Sequence, residues 1–449
     1  MYVEKLSEKI RDKKAKIGII GLGYVGLPLA VEFAKYGFEV TGFDINKEKV
    51  MQLNSGSSYI IDIPTSELEE VVQNGHLKAT TEFEQLSGMN AICICVPTPL
   101  TKSQEPDMSY ITNSVSKIKQ YMKKGTLIIL ESTTYPGTTE ELIQEELENI
   151  GYQVGVDFFL CFSPERIDPG NTVFQTKNTI KVIGGTTKNC SNLGEMLYEK
   201  VIKELHVVSS TKVAEMSKLL ENTFRSINIA FINEMALLSE SLELNIWEVI
   251  EASATKPFGF MKFCPGPGIG GHCIPLDPMY LSWKAKGVNF YSHFIELAQE
   301  TNKKMPEHIS RKASEALNFN SKSIRNSKIL LLGMAYKPNI DDIRESPALD
   351  IYELLKKEGA NLDYFDPMVK SFKNENGDVI EGLKTLGNQI EQFDLVIILT
   401  NHQLFDMEEI FMKSQLILDT RNAMNGKEHQ KLFRIGDGSK KIALGNPGF

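Results

Sequence analysis

KIGIIGLGYVGLPLAVEFAKYGFEVTGFD, residues 16–44, reads as a strand over 16–20, a glycine turn, a helix to Tyr36 and a second strand ending at Asp44. One βαβ unit with this punctuation predicts a parallel sheet and a dinucleotide turn. Gly21 permits the tight turn, Gly23 lets the backbone approach a pyrophosphate on the helix N-terminus, and Gly26 allows helix and strand to pack closely. Tyr24 and Val25 complete the turn. Asp44 can accept hydrogen bonds from both ribose hydroxyls, and its charge repels a 2′-phosphate, so the expected cofactor is NAD rather than NADP. A glycine-rich turn without a nucleotide is the plainer reading, but strand, helix and terminal acid occur here in register.

Working outward, strand-like runs follow at Ala91–Val96, Leu127–Leu130, Phe158–Phe162 and Ile180–Ile183, separated by helix-patterned or turn-rich stretches. Continuous apolar strands alternating with helices predict a sheet covered on both faces. From Thr211 to Ala252 a helix-period stretch lacks Gly and Pro, and a Pro/Gly-rich loop over Lys256–Pro278 precedes another helical stretch near Phe290–Met305. Core packing and a dimer interface account for that apolar helical surface equally well. A second α/β pattern starts at Ser327: SKILLLG, ANLDYFDP, QFDLVIILT and SQLILDTRN read as strands and SPALDIYELLKKEG as a helix. The expected fold is therefore α/β, two Rossmann-like doubly wound domains joined by a long central helical segment. Boundaries fall near 205 and 325, giving segments 1–205, 206–324 and 325–449.

The 449 residues carry a formal charge of −9, with 42% hydrophobic and 24% charged positions. This is ordinary globular composition, and it excludes disorder, collagen and small disulfide scaffolds. The lysine pairs Lys13, Lys14 and Lys123, Lys124 are short and read as solvated faces, so no nucleic-acid partner is expected. The N-terminus alternates charged and isolated apolar residues, without the apolar core of a secretory signal. No segment reaches the ~18 consecutive apolar residues of a membrane span. A cytoplasmic protein with no membrane partner is expected.

None of the six cysteines stands in CxxC spacing, so no metal site is expected. Cys273 differs from the others, because four glycines occupy the seven residues before it in PGPGIGGHCIPLDP, residues 265–278. Glycines there allow backbone and cofactor to approach the thiol. A nucleophilic cysteine needs thiolate character, which a nearby cation or helix N-terminus supplies. His272 is adjacent, but neighbours on an extended chain point apart, so it is not assigned as the base. On spacing alone, a buried structural cysteine is the safer reading.

Seven motifs in order change that balance: GLGYVGLPLA, VPTP (96–99), STTYPGTTEE (132–141), SPERIDPGN (163–171), KLLEN (218–222), GPGIGGHCIPLDP and YKPNIDDIRESPALDI. Together they resemble the UDP-sugar 6-dehydrogenase family across nearly the whole chain. The resemblance implies two NAD-dependent oxidations of a sugar C6 alcohol to a carboxylate, through a cysteine thiohemiacetal and thioester, in a homodimer or larger homo-oligomer. Carried onto this sequence, Cys273 is the nucleophile. Lys218 stabilises the oxyanion with Asn222 as partner, and Asp277 belongs to the lysine and water network. Thr133 and Glu165 order the water, with Glu165 a general base. Val96, Pro97, Thr98, Thr133 and Arg344 face the cofactor. Glu165, Arg166, Lys218, Asn222, Gly270, Lys337 and Arg421 face the UDP-sugar, the last two as cations for its diphosphate. Lys218 and Asn222 are four apart and share a helix face.

The forms TTYPGTTEE and HCIPLDP resemble the branch acting on UDP-N-acetylglucosamine, which is the expected substrate. UDP-N-acetylmannosamine and UDP-glucose are the alternatives, since pocket shape decides a C2 epimer. Two other classes compete: a single-step NAD-dependent hydroxyacid dehydrogenase, which needs no cysteine, and a nucleotide sensor without turnover.

Overall fold

A computed structural model describes residues 1–60, 62–167, 173 and 176–438. Asp168–Asn171, the end of the SPERIDPGN motif, and the last eleven positions of the 325–449 segment lie outside the described residues. The chain forms two compact units, Met1–Glu221 with Met279–Phe290, and Asn222–Pro278 with the chain from Tyr291 onward.

The first unit holds eight strands: β1 (Lys16–Ile20), β2 (Glu39–Phe43), β3 (Leu77–Thr80), β4 (Ala91–Ile94), β5 (Thr126–Leu130), β6 (Phe158–Phe162), β7 (Lys181–Gly185) and β8 (Leu205–Val208). They lie in the order β3-β2-β1-β4-β5-β6-β7-β8. The first six run parallel. The β6 to β7 pairing is antiparallel, a departure from the parallel expectation. Antiparallel neighbours need no crossover helix, and no helix occurs among the described residues from 163 to 180. The short β3 and β8 were not legible as strands.

Alternation along each strand fills two cores. Ile17, Ile19, Cys93, Leu127 and Ile129 pack on one face, Ile20, Ile92, Ile94, Ile128 and Leu130 on the other. Each such side chain contributes about 2 kcal/mol on burial, so a strand covered on both faces must be apolar throughout. The helix Gly26–Tyr36 follows the glycine turn and ends at Gly37 in the left-handed conformation, φ 99°.

In the second unit, β9 (Lys328–Leu332), β10 (Asn361–Phe365), β13 (Leu395–Ile398), β14 (Ile417–Asp419) and β15 (Leu432–Arg434) form a sheet ordered β10-β9-β13-β14-β15. All its pairings are parallel. A separate hairpin pairs β11 (Ser371–Lys373) with β12 (Val379–Glu381). Ser346 caps the helix Pro347–Lys357 through the Ala348 N–H, with Pro347 in the first turn where its missing N–H costs nothing. The helix-period stretch forms the helices Thr211–Ser241 and Ile246–Ala254, and a further helix spans His293–Phe319. Asp277 opens the helix Asp277–Lys286, whose first two residues the loop Lys256–Pro278 was expected to include.

A Cβ on Gly26 would sit 1.8 Å from the Gly21 carbonyl oxygen. Gly26→Ala is therefore expected to destabilise the protein by about 1 to 3 kcal/mol through overpacking, read as a lowered melting temperature in calorimetry. Gly75→Ala, at an exposed left-handed turn with open space around it, serves as the strain-only control.

Candidate active site

Parallel strands deliver their carboxyl ends to one edge. Within the first unit, β1 lies between β2 and β4, so chain direction away from β1 reverses there and a crevice opens at the strand ends. The turn Gly21–Gly26 follows β1, Asp44 follows β2, Val96–Thr98 follow β4, Thr133 follows β5, and Glu165 and Arg166 follow β6. Five segments far apart in sequence thus share one edge.

The glycines divide their work as the chemistry requires. Gly21 takes φ +91°, and a Cβ there would meet the Cys95 carbonyl at 2.5 Å. Around Gly23 nothing lies within 4 Å of a Cβ, so the backbone is open to an approaching group. Tyr24 and Val25 are half-buried. Asp44 Oδ2 accepts from the Leu22 N–H at 3.0 Å and Oδ1 from the Asn46 N–H at 2.9 Å. Each oxygen keeps a further lone pair for a ribose hydroxyl. Tyr59, which sequence reading did not single out, donates its hydroxyl to the Leu22 carbonyl at 2.8 Å. Burial and Asp44 push that phenol well up, so it remains a donor. These residues fit a dinucleotide with an unphosphorylated ribose.

Ser132 donates to the Val96 carbonyl at 2.8 Å and ties the β4 and β5 loops together. Glu165 Oε1 accepts the Arg166 and Ile167 N–H groups at 2.7 and 2.8 Å. Arg166 is engaged by Glu221 at 2.9 Å and by the Ile180 carbonyl at 2.8 Å. Burial pushes the Cys93, Cys95 and Cys161 thiols up, so these strand cysteines stay protonated.

Within the second unit, the Cys273 loop runs over the carboxyl edge of the second sheet. A Cβ on Gly270 would meet Tyr336 at 2.6 Å, one on Gly271 would meet the Tyr336 ring at 2.8 Å, and one on Gly266 would meet the Arg421 guanidinium at 2.7 Å. Protein packing at Gly266, Gly270 and Gly271 thus leaves no room for a side chain. The Gly271 N–H donates to the Arg344 carbonyl at 2.8 Å, and the Gly266 N–H to Asn233 Oδ1 at 2.9 Å. Asn233 in turn donates to Asn302 at 3.0 Å, a buried amide pair with no sequence signature. The Cys273 carbonyl accepts the Leu276 and Asp277 N–H groups at 3.1 and 2.8 Å, and the residue is half-buried. Buried Asn222 donates through Nδ2 to Asp277 Oδ2 at 2.5 Å.

Lys218 precedes Asn222 by one helical turn. It is 7% exposed and forms no ion pair among the described residues. Arg421, beside Gly266, donates to the Leu399 carbonyl at 2.8 Å. Burial pulls its guanidinium down to about 10, so it stays charged at neutral pH. Lys337 is half-buried in the loop after β9. Arg344 forks onto Asp342 at 2.6 Å and meets His272 Nδ1 at 3.0 Å. Among the described residues no cluster could hold a metal, and no helix is long and apolar enough to cross a membrane.

Comparison with known proteins gives three successive matches to the UDP-glucose/GDP-mannose dehydrogenase family: its NAD binding domain over residues 15–202, its central domain over 212–304 and its UDP binding domain over 330–426. A UDP-N-acetyl-D-mannosamine dehydrogenase of Pyrococcus horikoshii is 37% identical over 431 residues, covering 94% of this chain and 99% of its own. A UDP-N-acetyl-D-glucosamine 6-dehydrogenase of Salmonella typhi is 34% identical over 397 residues, covering 87% and 91%. The solved structure of a UDP-D-ManNAc dehydrogenase from Pyrococcus horikoshii superposes with a TM-score of 0.86 at 35% identity, over 95% of this chain and 100% of that one.

Asp44→Ala removes two carboxylate oxygens open to a ribose and a negative charge that would repel a 2′-phosphate. The NAD Michaelis constant should rise at least ~10-fold, the size of one lost charged hydrogen bond, while activity with NADP rises. Steady-state kinetics with both cofactors checks this, and an unchanged NAD to NADP ratio would remove Asp44 from the site.

Proposed function

Because the chain belongs to the UDP-glucose/GDP-mannose dehydrogenase family and is an NAD-using UDP-sugar dehydrogenase, we propose that it oxidises the C6 alcohol of a UDP-N-acetylhexosamine to a carboxylate through adducts on Cys273. The observation that carries this reading is the half-buried thiol on a glycine loop pinned beside Arg421 and Arg344. Relatives named for both C2 epimers support the N-acetylhexosamine class.

The balanced reaction consumes one alcohol, two NAD+ and one water, and yields one carboxylate, two NADH and three protons. NAD accepts the two hydrides. After the first oxidation Cys273 adds to the C6 aldehyde, giving a thiohemiacetal that cannot diffuse away. Its oxidation gives a thioester, which water cleaves. Lys218, a buried cation without a carboxylate partner among the described residues, donates to the oxygen that carries developing negative charge. Asn222 spends one amide hydrogen on Asp277 and keeps the other for the same oxygen. Thr133 orders the water, and Glu165 takes its proton. Val96, Pro97, Thr98 and Arg344 border the cofactor. Gly270, Arg166, Lys337 and Arg421 serve the UDP-sugar, the last two by pairing with the diphosphate.

Residues 1–205, 206–324 and 325–449 serve as the NAD, cysteine-loop and UDP segments, an order the three family matches support. We place the enzyme in the cytoplasm as a homodimer. Phe224, Phe231 and Leu238 recur every seven residues along one helix, each more than 40% exposed, which supports a self-association stripe. Light scattering should return twice the chain mass.

Mixing enzyme, NAD and each UDP-hexose should release about two NADH per sugar and raise the sugar's mass by about 14 Da. The panel of both C2 epimers and UDP-glucose identifies the substrate. Cys273→Ser should stop before acid release, whereas a single-step dehydrogenase keeps its turnover and a sensor makes no NADH. Lys218→Ala should lower kcat by ~100-fold or more, the worth of one oxyanion donor, with NAD affinity unchanged by titration.

A further inference from the structure

The carboxyl edge of the first sheet hides a charged pair, Lys181 and Glu131, that the mechanism above does not use. Lys181 opens β7 with its side chain 5% exposed, and its ammonium donates to Glu131 Oε2 at 2.7 Å. Glu131, immediately after β5, is fully buried and also accepts the Tyr198 hydroxyl. The same ammonium stands 3.6 Å from Glu165 Oε2, close enough to pair but too far for a hydrogen bond. That Oε2 is buried and has no hydrogen-bond partner, while Oε1 is fixed by two backbone N–H groups. A small cavity lined by Pro164, Glu165, Arg166, Ile180 and Lys181 adjoins it.

We propose that Lys181 is the positioning residue for Glu165, holding it ionised and aimed through Oε2, with Glu131 setting how much of the lysine's charge Glu165 receives. This rests on Glu165 acting as the base in thioester hydrolysis. Two carboxylates facing one buried space cannot both stay ionised without a cation between them. Lys181 supplies it, and three charges leave a net of −1. Burial alone pulls the ammonium down, but Glu131 and Glu165 outweigh it and the lysine keeps its proton. Burial pushes the Glu131 carboxyl up, and Lys181 opposes this. The other titratable groups facing the cluster are Tyr198, Cys93 and Cys95, whose pKa values burial raises, so they contribute no charge at neutral pH. Arg166 is committed to Glu221 on the outer side.

The sign follows from what Glu165 faces. With Lys181 removed, Glu165 faces only the Glu131 charge and its ionised form loses its counter-ion. With Glu131 neutralised it sees only the ammonium and stays ionised to lower pH. With both removed it faces neither charge.

Decay of the Cys273 adduct, followed by quenched flow and intact-protein mass across pH, measures this. The acidic limb should fall in the order Glu131→Gln lowest, wild type and Lys181→Met/Glu131→Gln intermediate, Lys181→Met highest. The Lys181→Met limb should lie about one pH unit or more above wild type, the shift an adjacent opposite charge produces. In the enzyme without substrate, the infrared band of protonated Glu165, assigned by its loss in Glu165→Gln, should persist to correspondingly higher pH in Lys181→Met. A double variant that rescues the single one separates charge from folding, and Glu131→Gln, which keeps the lysine, tests the idea even if Lys181→Met does not fold. Identical limbs in all folded variants would overturn it. If Glu165→Gln releases acid at the wild-type rate, the base assignment itself fails, a result independent of that ordering.

Discussion

Gly26 has no side chain because there is no room for one atom more. Its Cα lies against the Gly21 carbonyl so tightly that a methyl would overlap the oxygen. This contact lets the helix Gly26–Tyr36 start directly over β1, and everything at the carboxyl edge is measured from there. The β1 turn sets the floor of the crevice, the parallel register of β1, β4, β5 and β6 lines up the loops that follow, and those loops carry Val96, Thr133 and Glu165.

The elements that were legible in sequence are those whose signal is local. β1, the helix to Tyr36, β6 and β9 announce themselves by apolar runs and by the turns that end them. β3, with the pattern Leu-Lys-Ala-Thr, and the three-residue β15 carry too few residues to show a period, so they exist through pairing with neighbours, whereas β14 was legible inside SQLILDTRN. The antiparallel return of β7 is likewise a matter of tertiary pairing.

The candidate site divides in the same way. Glycine positions, Asp44 and Cys273 were readable because backbone constraint and unusual local composition mark them. Lys181 and Glu131 were not. Each looks like a strand-end charge, and only pairing across β5, β6 and β7 reveals that the two are buried together. Arg344 shows the opposite: its local pairing with Asp342 was foreseeable from spacing, whereas its meeting with His272 was not. The single feature available in advance was Glu131 itself, an acid directly following LIIL, where an ionised group needs a partner.

The two sheets also use one device to different ends. Asp44 ends β2 and Asp366 ends β10, and each accepts an N–H from the loop after the neighbouring central strand. Asp44 stops at two backbone donors and remains half-buried, so both oxygens can still receive a ligand. Asp366 takes four backbone N–H groups, from Met334, Ala335, Met368 and Val369, and the His402 imidazole besides. Burial pushes its carboxyl up, but His402 and these amides outweigh it and hold it below the ordinary range. With its lone pairs spent on backbone N–H groups of two loops and on His402, Asp366 cannot receive a ribose. The second sheet therefore keeps the doubly wound architecture without an acid free to receive a ribose, and under the proposed function recognition there passes to the cations at the strand ends, Lys337 and Arg421.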